Sequence, residues 1–114
     1  MKFERFEDIL AWQKALDLSV LIYSIFENTK DYGFKDQIQR AGVSIMNNIA
    51  EGFERRSNNE FRQFLYISKG SSGEVRSMSI LAKKLRKISN DEADKLYNQS
   101  EEISKMLSGL IKTL

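Results

Sequence analysis

Arg55, Arg62, Lys69, Arg76 and Lys83 recur at every seventh position of this 114-residue chain. Regularly spaced cations suit contact with a phosphate backbone, because the partner also presents its charge at regular intervals. On a helix each step of seven drifts by only about 20°, so the four from Arg62 onward hold one face, roughly two turns apart. Arg56, Lys84, Arg86 and Lys87 thicken the two ends of the row. Only Tyr66 sits mid-helix near it, which is thin support for base stacking, so any binding is expected to tolerate sequence. The same cations have a structural reading. They flank a core stripe and pair with acids such as Asp94 and Glu101 on a neighbouring helix.

Other chemistry has little to work with. The sequence contains neither histidine nor cysteine. That removes the commonest general base and metal ligand, and with them any disulfide framework or thiolate site. Carboxylates are numerous, but the Glu-x-x-His pattern of a di-iron bundle needs a histidine the chain lacks. Ser71 and Ser72 have no histidine partner to activate them. Lys69-Gly70-Ser71-Ser72-Gly73 is not a phosphate-cradling loop: the lysine precedes the glycines and no strand leads in. Its small residues point instead to close helix packing. Asn47, Asn48 and Glu51 read either as a ligand site or as buried groups that bond neighbouring backbones and fix register. Trp12 and Tyr23 are most simply core or interface residues. No cofactor and no enzymatic activity are expected.

The charge is uneven. Residues 35 to 87 carry eleven Lys/Arg against five Asp/Glu, while the segments before and after are each net −2. A basic middle is compatible with an anionic partner. The N-terminus MKFERFEDIL lacks the features of a signal peptide, and the longest nearly apolar run, Leu18 to Phe26, falls short of the ~20 residues a membrane span needs. A soluble, cytoplasmic protein with no membrane partner is the expectation.

The elements that must carry these residues are helical, since apolar spacing follows the helix period and no strand alternation is sustained. A first helix over about residues 8 to 28 starts near Asp8, a carboxylate suited to unpaired amides. Its polar positions Gln13, Asp17 and Ser24 share one arc, and almost all the rest is apolar. A lone subunit buries one stripe, not a sleeve. A homo-oligomer is therefore expected, with Leu10, Leu18, Leu21 and Ile25 at its interface. Asn28 to Gly33 reads as a loop, and a second helix covers about 34 to 56 with Ile38, Ile45 and Ile49 inward and Ala41, Gly42, Ser44 and Ala50 allowing close approach. Ser57-x-x-Glu60 opens a third helix to about 87, whose periodicity overrides the loop-like composition of 69 to 73. Ser89-x-x-Glu92 opens the fourth, 90 to 114. Four helices on short links predict an all-α, antiparallel up-down-up-down four-helix bundle spanning 1–114 as a single domain.

Four stretches carry a family resemblance across nearly the whole chain: FEDILAWQKALDL at Phe6 to Leu18, QIQRAGVSIMNNIAEG at Gln37 to Gly52, EFRQFLYISKGSSGEV at Glu60 to Val75, and the ending MLSGLIKTL. The chain resembles the small bacterial proteins encoded by intervening sequences inside large-subunit ribosomal RNA genes. It departs from that pattern in lacking a proline before Tyr32-Gly33 and in carrying Met46 where proline is usual after Ser-Ile. The resemblance implies a four-helix bundle assembling as a ring-like homopentamer, without enzymatic activity. A similar protein is the accessory variability determinant of diversity-generating retroelements, which works with a reverse transcriptase and nucleic acid. Two functions follow as expectations. One is RNA or DNA binding through Arg55, Arg56, Arg62, Lys69, Arg76, Lys83 and Lys84. The other is a scaffold or accessory subunit for a protein partner, the basic row serving ion pairs between subunits.

Overall fold

The computed structural model describes residues 3–114; the leader and domain readings that begin at Met1 and Lys2 extend outside them. After a short 3-10 turn at Phe6–Asp8 come four helices: α1 (Leu10–Ile25), α2 (Tyr32–Phe53), α3 (Asn58–Lys84) and α4 (Asn90–Lys112). All regular structure among the described residues is helical. Each helix packs on two others: α1 on α2 and α4, and α3 on α2 and α4. Among the described residues the backbones of α1 and α3 do not come close, nor do those of α2 and α4, so these pairs occupy opposite corners of the bundle.

The core is the inward stripe of every helix, with Leu18, Ile22, Ile38, Ile45, Ile49, Leu65, Val75, Leu96 and Leu107 fully enclosed. Where helices come closest the sequence supplies glycine. A Cβ added at Gly52 would lie 2.5 Å from the Phe64 Cβ, and one at Gly42 would lie 2.7 Å from the Ile22 Cδ1. Serines join α2 to α3. The buried Ser68 hydroxyl donates to the Ile45 carbonyl at 2.7 Å, and Ser44 and Ser71 share a 2.8 Å bond.

Helix starts follow capping chemistry, with two surprises. The Ser89–Glu92 box closes in both directions, at 3.0 Å and 2.9 Å. At Ser57 only one half forms: its hydroxyl accepts from the Glu60 amide at 3.2 Å and donates to the Glu60 carboxylate. Asp8 does not start α1. It belongs to the 3-10 turn, and Ile9 precedes α1 without a side-chain cap. Conversely, α2 begins inside the expected loop, because the Asp31 carboxylate caps it by accepting from the Phe34 amide at 3.2 Å. α3 runs unbroken through Lys69–Gly73. Its end is closed by left-handed Arg86 (φ 56°), letting the Lys87 and Arg86 amides donate to the Ala82 and Lys83 carbonyls.

Candidate nucleic-acid interface

The length and unbroken run of α3 decide where the cations stand. Its 27 residues extend for about 40 Å, so Arg62, Lys69, Arg76 and Lys83 follow one another at about 10 Å intervals. They lie along the edge of α3 that faces α4. Arg62 donates to the Leu114 carbonyl beyond the end of α4 and to Asn59 at 2.7 Å. Lys83 pairs with Asp94 near the start of α4 at 2.8 Å. Lys69 lines a shallow cleft with Tyr66, Ser108 and Lys112, and Lys83 and Lys84 line a larger one of about 310 Å³ floored by Ala93 and Tyr97.

The row therefore divides. Its outer members are engaged within the chain, Arg62 at the negative end of the α4 dipole and Lys83 on a carboxylate. Its inner members, Lys69 and Arg76, are half-buried along their stems and have no acid at salt-bridge distance among the described residues. Asp94 is a partner as the sequence suggests. Glu101 instead lies 3.8 Å from Lys105 on its own helix.

Arg55 and Arg56 sit in the turn before Ser57, where the helical register is interrupted. Arg55 stacks over the Phe64 ring at 4.8 Å and reaches Glu51 at 3.7 Å, on the α2 side of α3 and away from the row. Arg56 and Lys84 are exposed, with no acid at salt-bridge distance among the described residues. At the other end of α3, Lys87 donates to Asp31 at 2.6 Å and lies 5.6 Å from the Phe34 ring centre. The Lys87 bond, aided by the Phe34 amide, holds the Asp31 carboxyl below the usual carboxylate range.

Of the two readings of the polar trio on α2, the structure does not bear out the buried, register-fixing one. Asn47 and Glu51 are exposed, and Asn48 bonds within its own helix, to the Ser44 carbonyl at 2.8 Å. Small residues also split. Ser68 and Ser72 are buried, but a Cβ on Gly70 or Gly73 would meet nothing within 4 Å, so neither glycine serves packing within the bundle.

The proposed interface residues of α1 separate in the same way. Leu18 is 0% exposed and belongs to the core of the chain itself, which corrects its assignment to an interface. Leu21 and Ile25 are half-buried against that core, and Leu10 is 54% exposed. The apolar residues α1 leaves in solvent are Leu10, Leu16, Val20 and Tyr23. Sequence reasoning missed a second exposed apolar set on α3 and its C-cap, Ile67, Ile80, Leu81 and Leu85, and noted Tyr66 only as a neighbour of the basic row. Their helical spacing is readable in the sequence, beside the basic residues.

No helix is long and apolar enough to cross a membrane among the described residues. Comparison with curated proteins gives no match. Among solved structures, the chain is similar to a protein of unknown function from the S23 ribosomal protein family of Bacteroides thetaiotaomicron VPI-5482, with 27% identity and a TM-score of 0.84 over 90% of this chain and 98% of that one. The family model described as 23S rRNA-intervening sequence protein matches residues 7–109. With that match spanning most of its length, the chain belongs to the 23S rRNA-intervening sequence protein family.

Proposed function

We propose that this protein is a non-enzymatic, self-assembling helical bundle that binds RNA or another nucleic acid through the α3 cations. The observation that carries the reading is the inner pair, Lys69 and Arg76. Two cations about 10 Å apart on one helix edge, without carboxylate partners among the described residues, support a polyanion-binding reading. Arg56 and Lys84 extend the positive surface beyond them. The reading takes the bundle as antiparallel up-down-up-down. In support, Arg62 near the start of α3 meets Leu114 after α4, while Lys83 near the end of α3 meets Asp94 near the start of α4. Assembly into a ring-like homopentamer in the cytoplasm is part of the same proposal, supported by the large apolar side chains left exposed on α1 and α3.

The test is binding of a labelled RNA across a salt series. Electrostatic contact to phosphates makes the logarithm of affinity fall linearly with the logarithm of salt, by about 0.7 per contact for a single strand and about 0.9 for a duplex. A flat response, or unchanged binding after charge reversal at Arg62, Lys69 and Arg76, refutes the mechanism. A second reading is a scaffold or accessory subunit, for example of a reverse transcriptase, that contacts a protein partner and no nucleic acid. It is favoured by the two outer cations being engaged already. Recovery of a protein partner without nucleic acid, in the absence of nuclease, decides for it.

A further inference from the structure

The shallow cleft beside Lys69 brings together residues that the basic row alone does not supply. Tyr66 and Lys69 reach it from α3, and Ser108, Ile111 and Lys112 from the last turns of α4. No acid lines it, and neither lysine has one at salt-bridge distance among the described residues. The larger cleft near the other end of α3 differs, because Asp94 meets the Lys83 charge there. Ile111 gives the small cleft an apolar floor, and the Ser108 hydroxyl can donate to an oxyanion. Its volume of about 180 Å³ is below the roughly 300 Å³ at which pockets for whole small molecules begin. Such a cleft suits one unit of a polymer.

Two glycines keep it uncovered. Helical side chains lean back over the preceding turn, so a side chain at 70 would lie over Tyr66, and one at 73 over Lys69. Both positions are glycine, with only open space where a Cβ would stand. Glycine weakens a helix interior, and neither residue is needed for packing within the bundle. Tyr66 is left 56% exposed at the lip of a cationic cleft.

We infer that this cleft holds one nucleotide of a single strand, its base stacked on Tyr66 and its phosphate between Lys69 and Lys112. The inference rests on the nucleic-acid reading and narrows it from any polyanion to an unpaired strand. In a duplex the bases are already stacked inside, and a ring on a helix surface cannot reach them; an unpaired base lies flat on an exposed aromatic whatever its identity. Arg76 continues the positive edge about 10 Å beyond Lys69, where the strand runs on.

The test is fluorescence anisotropy with a short labelled RNA lacking self-complementarity, alone and annealed to its complement. Tyr66→Ala, Gly70→Leu and Lys112→Gln alter exposed positions, and circular dichroism checks their fold. Tyr66→Ala should weaken the single strand by about 5- to 150-fold, the loss of one stacked base, and leave the duplex unchanged. Gly70→Leu keeps the ring but covers it, and should weaken the single strand alone in the same way. Lys112→Gln should lower the single-strand salt slope by about 0.7. A wild type that binds neither form overturns the nucleic-acid reading and this inference together. Salt-dependent binding that survives Tyr66→Ala or Gly70→Leu, or a loss shared equally by the duplex, overturns the cleft and leaves the row. So does a Lys112→Gln variant that melts earlier with its slope intact, since that lysine then serves only the α4 dipole.

Discussion

Neutralising the inner and outer halves of the basic row separates binding from folding. Consider Lys69→Gln with Arg76→Gln. Neither residue has an acid at salt-bridge distance among the described residues, so their removal should change stability by no more than about 0.5 kcal/mol. If each meets one phosphate, the salt slope falls by about 1.4 for single-stranded RNA and about 1.8 for a duplex. Between about 50 and 200 mM salt the wild type then loses roughly 7- to 12-fold more affinity than the double variant. The outer pair behaves oppositely. Lys83→Gln breaks an exposed ion pair with Asp94 worth about 0.2–1 kcal/mol. Arg62→Gln removes a guanidinium from the end of α4, a loss of about 1 kcal/mol. Together they should lower the melting temperature by several degrees while leaving most of the salt slope in place. Fluorescence anisotropy with a labelled RNA and thermal circular dichroism measure the two quantities on the same samples. An inner double variant with the full wild-type slope, or an outer variant that melts as the wild type but loses slope, would show the division of the row to be wrong.

Three further outcomes are expected. Ser89→Ala removes a box closed in both directions and should cost about 1 kcal/mol in urea unfolding, more than Ser57→Ala, where only the hydroxyl half is made. Gly52→Ala should destabilise despite alanine's better helix propensity, because its methyl would press on the Phe64 Cβ at 2.5 Å; Gly109→Ala, which meets open space, should stabilise by up to about 1 kcal/mol. Asp31 has a depressed carboxyl in the folded state, so its contribution to stability is present above the unfolded carboxylate value of about 3.9 and is lost as pH falls through the folded value. Asp31→Asn should therefore flatten the acid limb of stability against pH, and an unaltered limb in acid titrations followed by circular dichroism would contradict the Lys87 bond.

Helix number, order and the run of α3 through Lys69–Gly73 were legible because periodicity and capping act locally. The start of α1 was not. Asp8 has the right residue type for a cap, but the chain makes a 3-10 turn there, and Gln13 donates to the Glu7 carbonyl at 2.9 Å. Asp31 was read as part of a loop because Gly33 follows it, though a glycine in the first turn of a helix does not prevent capping. The apolar sleeve of α1 was half right. Spacing alone shows which residues share a side, but only the position of α2 and α4 shows which side is inward, and Leu18 falls inside while Val20 falls outside. Tertiary placement likewise decided which cations were engaged, since the Leu114 carbonyl that holds Arg62 is 52 residues away.

The basic row and the apolar face can act at once, because they occupy different sides of α3. Arg62, Lys69 and Arg76 border α4, whereas Gly70, Ser77 and Leu81 point away from the core. Lys84 is the residue on which the two demands meet. It was grouped with the nucleic-acid cations by its sequence position, yet it follows Ser77 and Leu81 along the apolar line at helical spacing. Self-assembly that covers this line takes Lys84 with it, whereas Arg76 stays on the basic edge. Lys84→Glu should then loosen the assembly at low salt while leaving the RNA salt slope of a preformed assembly nearly intact, whereas Arg76→Glu should do the reverse. Light scattering and anisotropy read the two effects separately, and equal loss of RNA affinity from both substitutions at constant assembly size would return Lys84 to the row.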